Sequence, residues 1–207
     1  MWQELHEELK DKNFEVIAVA CDTKGVEAAG QWIQAANSEY PSLIDTQHRV
    51  PELYNTRNVP AVFWIDENGR IVRASDPVFA RRRDPQTDQT IVNDSYLQAI
   101  RDWVENGPKS IYVQDGAKMR EYMAAYTVED IHAMAYFRLG SYLAQQGHGQ
   151  DAIHHFKKAQ SLKPQNWNYK RQAWNLGNIE QDYGTTQQAA REDPASQPFR
   201  PPLDLPD

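Results

Sequence analysis

A valine–proline pair, Val59-Pro60, stands directly before an apolar run, and it restricts the local fold more than any other feature of the chain. Proline lacks a backbone N–H, so within a sheet it is tolerated mainly at the first residue of a strand. The run from 61 to 65 is therefore predicted as a strand. Residues 66–69, Asp-Glu-Asn-Gly, include the residue types that tolerate the positive φ of a tight hairpin turn. Residues 70–73 alternate polar and apolar and are predicted to return as a second strand.

The residues before this hairpin predict a helix, a strand and a second helix. Leu5 and Leu9, with Trp2, fall on one face of a short helix. Residues 14–21 are β-rich and long enough for a buried strand. Asp22-Thr23 is a helix start. The apolar stripe of the second helix comprises Val26, Ala29, Ile33 and Ala36.

In this order of elements, and in Tyr40 to Arg73 above all, the chain resembles the substrate-facing half of TlpA/ResA-like thiol-disulfide oxidoreductases and their AhpC/TSA peroxiredoxin relatives. The resemblance implies a thioredoxin-like α/β domain and a cis peptide bond at Val59-Pro60 beside a Cys-x-x-Cys motif. It also implies that Val59 and Pro60 present backbone groups to the substrate. That substrate would be a protein thiol or disulfide, or a peroxide. An extracytoplasmic compartment is implied as well.

The part of the family pattern that carries the chemistry is missing from the sequence. In the thioredoxin fold the first strand lies at the centre of the sheet, between the strands predicted at 14–21 and 60–65. Without it, both strands would leave ladder groups unpaired. By family spacing, the redox motif falls about five to ten residues before Met1, at a helix N-terminus whose dipole stabilises a thiolate. We therefore expect no catalytic residue in this chain.

Three origins of such a sequence remain open. An in-frame UGA codon upstream would make the redox residue a selenocysteine, with the reading frame opened at the next methionine. A mis-assigned start of an ordinary cysteine enzyme gives the same sequence. So does a pseudo-enzyme that has lost the motif.

The single cysteine, Cys21, ends the predicted strand at 14–21. It has two interpretations: a peroxidatic or resolving thiol, or a small buried hydrophobe. Nothing nearby in the sequence is suited to lowering its pKa, which favours the second. With one cysteine, no intramolecular disulfide can form within these residues.

Composition excludes some classes of protein. The chain has 207 residues, enough for one full domain and a small one, and 40% of them are hydrophobic. A net charge of −7 argues against a nucleic-acid partner. No apolar run approaches the length of a membrane span. The number of copies in the native assembly is not specified by the sequence.

The predicted thioredoxin-like domain covers residues 1–110. Within it, residues 74–90 are rich in Pro and Asp and are predicted as a long inserted loop. Three consecutive arginines, 81–83, would bind an anion or an acidic partner, or form a solvated face, and the second is favoured. Apolar residues at helical spacing within 93–106, followed by Gly107-Pro108, predict the last helix of this domain.

An all-α region is predicted over residues 111–184, and residues 133–166 resemble one tetratricopeptide (TPR) unit. The matching residues are Tyr136, Leu139, Gly140, Leu143, Gly147, Ala152, Phe156, Ala159 and Pro164. Gly140 and Ala152 would allow two antiparallel helices to approach closely. One such hairpin cannot cover both of its faces, so helices at about 117–131 and 167–181 are predicted as neighbours or caps.

Two aromatic residues of this region have two interpretations. Trp167 and Trp174 are predicted to pack on the preceding hairpin; the alternative is an aromatic surface that binds a peptide. The tail, 185–207, is Pro-rich and predicted to be extended, either draped over the body through its apolar residues or disordered. Those apolar residues are Phe199, Leu203 and Leu205.

No metal or cofactor site is predicted. His132, His148, His154 and His155 lie in one region, but the last two point to different faces of a helix and no zinc-ligand spacing occurs. Surface imidazoles are the favoured interpretation. The sequence has no Gly-rich phosphate loop and no nucleophile elbow.

Two classes of function follow from these features. In the first, the protein is a thioredoxin-like oxidoreductase or peroxide-reducing redoxin whose redox residue lies upstream of Met1. In the second, it is a non-catalytic scaffold that holds a protein partner through the TPR-like region.

Overall fold

The computed structural model describes residues 2–77, 81–83, 90–199 and 203–206, with the backbone alone for 81–83 and 90–92. The strands are β1 (Ala18–Cys21), β2 (Ser42–Asp45), β3 (Val62–Ile65), β4 (Ile71–Asp76), β5 (Arg81–Arg83) and β6 (Thr90–Val92). The first helices are α1 (Trp2–Leu9), α2 (Val26–Ala36), α3 (Arg49–Leu53), α4 (Asp94–Asn106) and α5 (Gly116–Tyr122). The remaining helices are α6 (Val128–Gln145), α7 (Gly149–Leu162), α8 (Trp167–Asn175), α9 (Ile179–Tyr183) and α10 (Gln187–Glu192).

The described strands form three separate pairs. β1 and β2 are parallel, with Ala18 opposite Ser42, whereas β3–β4 and β5–β6 are antiparallel. The strand predicted at 14–21 is therefore shorter than expected, because β2 offers only the partners for its last four residues. All four residues of β1 are only partly buried, although a parallel strand of apolar residues is normally covered on both faces.

The predicted hairpin at 61–73 is confirmed. Its turn is held by Asp66, whose carbonyl accepts from the N–H of Gly69 at 2.9 Å and whose carboxylate accepts from Asn68 and Arg70 N–H groups. Gly69 has φ +74°, as such a turn requires. The Val59-Pro60 peptide bond is cis, as the resemblance implies. β4 extends three residues beyond the predicted end of the strand, to Asp76.

A first core joins α1, α4 and β3. Its fully buried members are Leu5, Leu9, Trp64, Tyr96, Leu97, Ala99 and Ile100. The predicted helices at the start of the chain and at 93–106 are thereby confirmed. The latter begins after Asn93, whose side chain accepts from the N–H of Tyr96, and ends at Gly107 with φ +55°.

A hydrogen-bonded polar group is enclosed beside this core. Arg73 is 1% exposed, and its Nε donates to Asp76 Oδ2 at 2.6 Å. Tyr96 donates to the same carboxylate oxygen at 2.8 Å and accepts from Trp64 Nε1 at 2.9 Å. Because the guanidinium of Arg73 is paired with Asp76 and hydrogen-bonded, its burial does not leave an uncompensated charge.

Two predictions about irregular segments are corrected. The loop predicted at 74–90 is in part strand, because Arg81–Arg83 pair with the β-branched run Thr90–Val92. Consecutive charged side chains do not prevent strand pairing, because the hydrogen bonds between strands are made by backbone groups. Whether the three arginines bind an anion lies outside the described residues. Helix α2 starts at Val26 rather than at Asp22-Thr23, because Asp22 caps a turn and the hydroxyl of Thr23 bonds His48.

Helices α6 and α7 form the hairpin predicted for the TPR-like unit. Their buried core consists of Ala133, Phe137, Ala152, Phe156, Ala159 and, from α8, Tyr169 and Ala173. A Cβ placed on Gly140 would lie 2.9 Å from the ring of Phe156, so glycine is needed for this close approach. The segment predicted as one helix at 117–131 divides into α5 and α6. Thr127 and Asp130 form a capping box that starts α6 afresh.

The two tryptophans are buried, as the core-packing interpretation predicted, but the predicted packing partner is wrong. Trp167 and Trp174 are buried but pack on Ala190 and Phe199 rather than on the hairpin, which contacts Tyr169 and Ala173 instead. The reason is the rotation of α8 about its axis. Tyr169 and Ala173 are on the side of α8 that faces α7, and the two tryptophans are on a different side. The burial of both rings also removes them as an exposed peptide-binding surface.

The C-terminal tail is not extended throughout. Helix α10 forms at Gln187–Glu192, ahead of the first tail proline that would block it. Beyond it the tail lies on the body: Phe199 contacts Trp167, and Leu203 and Leu205 pack on the first core. Among the described helices, none is both long and apolar enough to cross a membrane.

Candidate functional site

The two residues predicted to face a substrate lie in the loop between α3 and β3. The N–H of Val59 donates to Asn58 Oδ1 at 3.0 Å, and its carbonyl accepts from Arg171 Nη1 of α8 at 2.6 Å. Pro60 lines an open cleft. The structure thus places Pro60 at a cavity and ties the backbone of Val59 to the helical region.

The cleft has a volume of about 620 Å³. Its walls come from five parts of the chain: the loop before β3, the end of β4, the segment from α5 to the start of α6, the α7–α8 connection, and the tail. The residues that give it an apolar and aromatic character are Pro60, Pro77, Met119, Tyr122, Tyr126, Pro198 and Phe199. Such a volume is ordinary for a site that holds a small organic ligand or several residues of a peptide.

Charged residues stand at the cleft, mostly in pairs. Lys163 contacts Asp130 at 2.5 Å, and Lys118 contacts Asp204 in the tail. Burial raises the pKa of Asp130, but the hydrogen bonds from Lys163 and Thr127 outweigh it and hold that pKa below its usual value. Burial raises the pKa of the Tyr122 phenol, which donates to the carbonyl of Asn55 at 3.0 Å. The cleft therefore offers neutral hydrogen-bonding groups and apolar surface more than a concentrated charge.

The helical region holds the loop before Pro60 along its length. Asn168 Nδ2 donates to the carbonyl of Thr56 at 2.7 Å, and the N–H of Trp167 donates to the carbonyl of Arg57 at 2.6 Å. Further along, Asn58 Nδ2 donates to the carbonyl of Phe199 at 2.5 Å. The position of the loop is consequently set by α8 and the tail as well as by its own strand.

An ion pair joins α3 to α6 beside this loop. Arg138 donates from Nε to Glu52 Oε1 at 3.0 Å and from Nη2 to the other carboxylate oxygen. The Glu52 side chain is 7% exposed and that of Arg138 is 48% exposed. The hydrogen bonds to Glu52 raise the pKa of Arg138, so its guanidinium stays charged across the physiological range.

Cys21 is not set up as a nucleophile. Burial, followed by the carboxylates of Asp45 and Asp22, raises the pKa of its thiol to about 12. Its Sγ makes a weak contact with the carbonyl of Val19 at 3.9 Å. A protonated, half-buried thiol neither attacks sulfur nor reduces peroxide at neutral pH. The geometry agrees with the interpretation of Cys21 as a packing residue.

Sequence reasoning missed a buried polar pair where β1 and β2 end. Thr23 Oγ1 lies 3.1 Å from His48 Nε2, and the two residues are 5% and 3% exposed. The ring of Phe137 from α6 packs edge-on against the imidazole, and Gln145 donates to the carbonyl of Thr23. Burial lowers the pKa of His48. The helical region encloses the pair. The pair therefore contributes to the packing of the β1 and β2 ends against α6, and a substrate cannot reach it.

The histidines of the helical region do not assemble into a ligand set. His154 and His155 have ring centroids 5.3 Å apart at 82°, and His155 stacks on Tyr136. In the part of the chain that the structure describes, no three His, Cys, Asp or Glu side chains are grouped as a metal ion would need.

Comparison with known proteins gives one match. The AhpC/TSA family model matches residues 1–74, which run from α1 into β4 and include the loop with Val59 and Pro60. This part of the chain is thus similar to redoxins of the thioredoxin-like class. No curated protein and no solved structure matches the chain. The TlpA-like subtype and the TPR assignment stay predictions.

Proposed function

We propose that this protein is a thioredoxin-like redoxin that exchanges thiols and disulfides with a protein substrate, and that its redox-active residue lies in sequence upstream of residue 1. The observation that carries the proposal is the position of Pro60. Within the part similar to AhpC/TSA redoxins, this residue lines a cleft of about 620 Å³. The cleft gives a substrate access to the loop.

The chemistry needs a thiolate or selenolate that this chain does not supply. A low-pKa chalcogenolate attacks one sulfur of the substrate disulfide, and the other sulfur leaves as a thiolate. A second thiol then attacks the mixed disulfide, so that the substrate leaves reduced and the enzyme disulfide forms. Cys21, with a pKa of about 12, supplies neither step.

Unpaired strand edges support an upstream contribution. Among the described strands, β1 pairs only with β2 and β3 pairs only with β4, so each retains one edge without a ladder partner. Two-stranded pairs of this kind are marginal by themselves. A strand that joined both edges would complete one sheet and bring the residues following it to the start of α1.

The size of the cleft favours a peptide substrate over peroxide. Hydrogen peroxide is close to water in size, and a cavity needs only about 10 to 15 Å³ of comparable volume to hold a water. A cleft of about 620 Å³ lined by proline and aromatic residues instead fits several residues of an extended chain.

Cleft blocking tests this assignment in a chain extended by about 60 to 100 upstream residues, enough for the missing strand and redox turn. Ala124→Trp places a bulky ring at the cleft wall, and Ala35→Trp on exposed α2 is the matched control. We expect Ala124→Trp alone to raise KM for a protein disulfide about tenfold and to change peroxide reduction little. Equal effects on both substrates, or none on the protein disulfide, would remove the cleft as the substrate site.

A binding role without catalysis is the second candidate. It is favoured by apolar residues that stay exposed on α6, among them Ile131 at 54% and Tyr142 at 58%. Absence of turnover in the extended chain, with its fold intact, would favour this role.

A further inference from the structure

Helix α6 is apolar on two opposite faces. One face carries Ala133, Phe137 and Gly140 into the core with α7. The other consists of Val128, Ile131, Ala135, Leu139 and Tyr142, which we call the outer stripe. At 100° per residue the outer stripe lies diametrically opposite the buried face. A helix that is apolar all round is normally covered all round.

The outer stripe is uncovered in this structure. Val128 is 63% exposed, Ile131 54%, Leu139 42% and Tyr142 58%. Helix α5, the chain neighbour that a helical stack would place here, packs on β4 instead. The stripe contains no charged residue, although the chain has a net charge of −7. Contiguous apolar patches of this kind are often interaction surfaces.

The spacing of the outer stripe is symmetric. Its residues follow at intervals of three, four, four and three, with Ala135 at the midpoint. In a two-fold antiparallel helix pair centred on Ala135, Ile131 of one copy faces Leu139 of the other, and Val128 faces Tyr142. Each large side chain then meets another large one. The small central residue lets the two backbones approach.

We propose that the outer stripe is a self-association surface, through which two copies of this chain pair by an antiparallel α6–α6 contact. A two-fold interface must be self-complementary, and a palindromic stripe meets that requirement with one helix. Arg138, at the edge of the stripe, is held to Glu52 of its own chain. No carboxylate of one copy is brought opposite a carboxylate of the other within the stripe.

The area available sets the strength of the dimer. The exposed parts of the stripe amount to roughly 400 Å² per copy, hence about 800 Å² in total, below the roughly 1,200 Å² of standard interfaces. An interface of this size is typical of weak association, so the pair is expected to be a concentration-dependent dimer. This inference does not depend on the proposed redox function.

Cysteine cross-linking tests the geometry in residues 1–207 with Cys21→Ser as background. Ala135→Cys should cross-link with itself under mild oxidation, since the two thiols meet on the two-fold axis. Ile131→Cys alone should not, because the partner's Ile131 lies about 12 Å along the helix. An equimolar mixture of Ile131→Cys and Leu139→Cys should cross-link. Ala35→Cys, exposed on α2, is the control.

Sedimentation velocity provides the independent measurement. We expect the unmodified chain to shift from monomer to dimer as its concentration rises, and Leu139→Glu to stay monomeric with an unchanged circular dichroism spectrum. Self-cross-linking at every stripe position would show a parallel pair and overturn the proposal. A monomer at all concentrations, or cross-linking no greater than that of Ala35→Cys, would also overturn it.

Discussion

Arg171 Nη1 donates a hydrogen bond of 2.6 Å to the carbonyl oxygen of Val59, so a residue of α8 fixes the backbone immediately before Pro60. The same guanidinium lies over the ring of Phe199, 5.5 Å from its centroid. One side chain thus joins the loop, the helical region and the tail. Residues more than 100 positions away in sequence determine the shape of the candidate substrate loop.

Replacing Arg171 should loosen this loop. Arg171→Met keeps much of the aliphatic stem against Phe199 but leaves the Val59 carbonyl without its charged donor, which should lower the free energy of unfolding by about 1 to 2 kcal/mol. Urea unfolding measures the change. Lys158→Met, exposed on α7 with no ion pair among the described residues, is the control and should change stability by less than about 0.5 kcal/mol. Equal losses for both variants would mean that the Val59 contact contributes nothing specific.

The hydroxyl of Tyr96 is expected to be essential to the buried group around Arg73. Tyr96→Phe removes a donor to Asp76 and an acceptor for Trp64 Nε1, at a cost of about 1 to 3 kcal/mol. Tyr40→Phe is the matched control, because Tyr40 is partly exposed and its hydroxyl makes no hydrogen bond to any residue that the structure describes. Thermal unfolding should separate the two variants by several degrees. A Tyr96→Phe protein as stable as Tyr40→Phe would contradict the account of this network.

The thiol of Cys21 should react slowly in the folded protein. With its pKa raised to about 12 by burial and by Asp45 and Asp22, its thiolate fraction at pH 8 is roughly a thousandfold below that of a free cysteine. We expect alkylation by iodoacetamide to be slow when folded and to accelerate when urea exposes the residue. Rapid alkylation of the native chain at pH 7 would show that Cys21 is activated.

Stability should fall as the pH drops below about 6.5, through His48. Burial lowers its folded pKa, so the unfolded chain takes up a proton at its ordinary pKa of about 6.5 before the folded chain does. The groups around the imidazole are the hydroxyl of Thr23, the ring of Phe137, the carboxylates of Asp22 and Asp45, and the amide of Gln172. The carboxylates favour the charged form but do not outweigh burial.

Unfolding free energies at pH 7.5 and 5.5 measure this effect. His48 has φ +54°, which asparagine tolerates, so His48→Asn is the suitable variant and should show a smaller loss of stability on acidification. His154→Asn, exposed on α7, should keep the loss of the unmodified chain. If His48→Asn lost as much stability as the unmodified chain, another group would be responsible.

Elements with local signals were predictable from the sequence. Val59-Pro60, the apolar run and the Asp66 to Gly69 turn each point to the same hairpin, so β3, β4 and the turn were identified. Asn93 and Gly107 likewise bound α4. In these places local propensity and tertiary packing agree.

Elements that depend on distant partners were not predictable. β2 is only four residues long and follows Pro41, so its periodicity carries no signal; it exists because β1 provides a ladder. Thr23 and His48 are 25 positions apart, and α6 encloses them. No local sequence pattern predicts that these two residues meet. The outward register of Trp167 was missed for the same reason, since the packing of α8 on α7 and on the tail decides it.

The upstream position of the redox residue is tested most directly by disulfide-reductase turnover. Residues 1–207 and the chain extended by about 60 to 100 upstream residues should be assayed side by side on one protein disulfide, each with and without Cys21→Ser. The account predicts turnover by the extended chain, unaffected by Cys21→Ser, and none by residues 1–207. Turnover by residues 1–207 that Cys21→Ser abolishes would contradict it and would make Cys21 the active thiol.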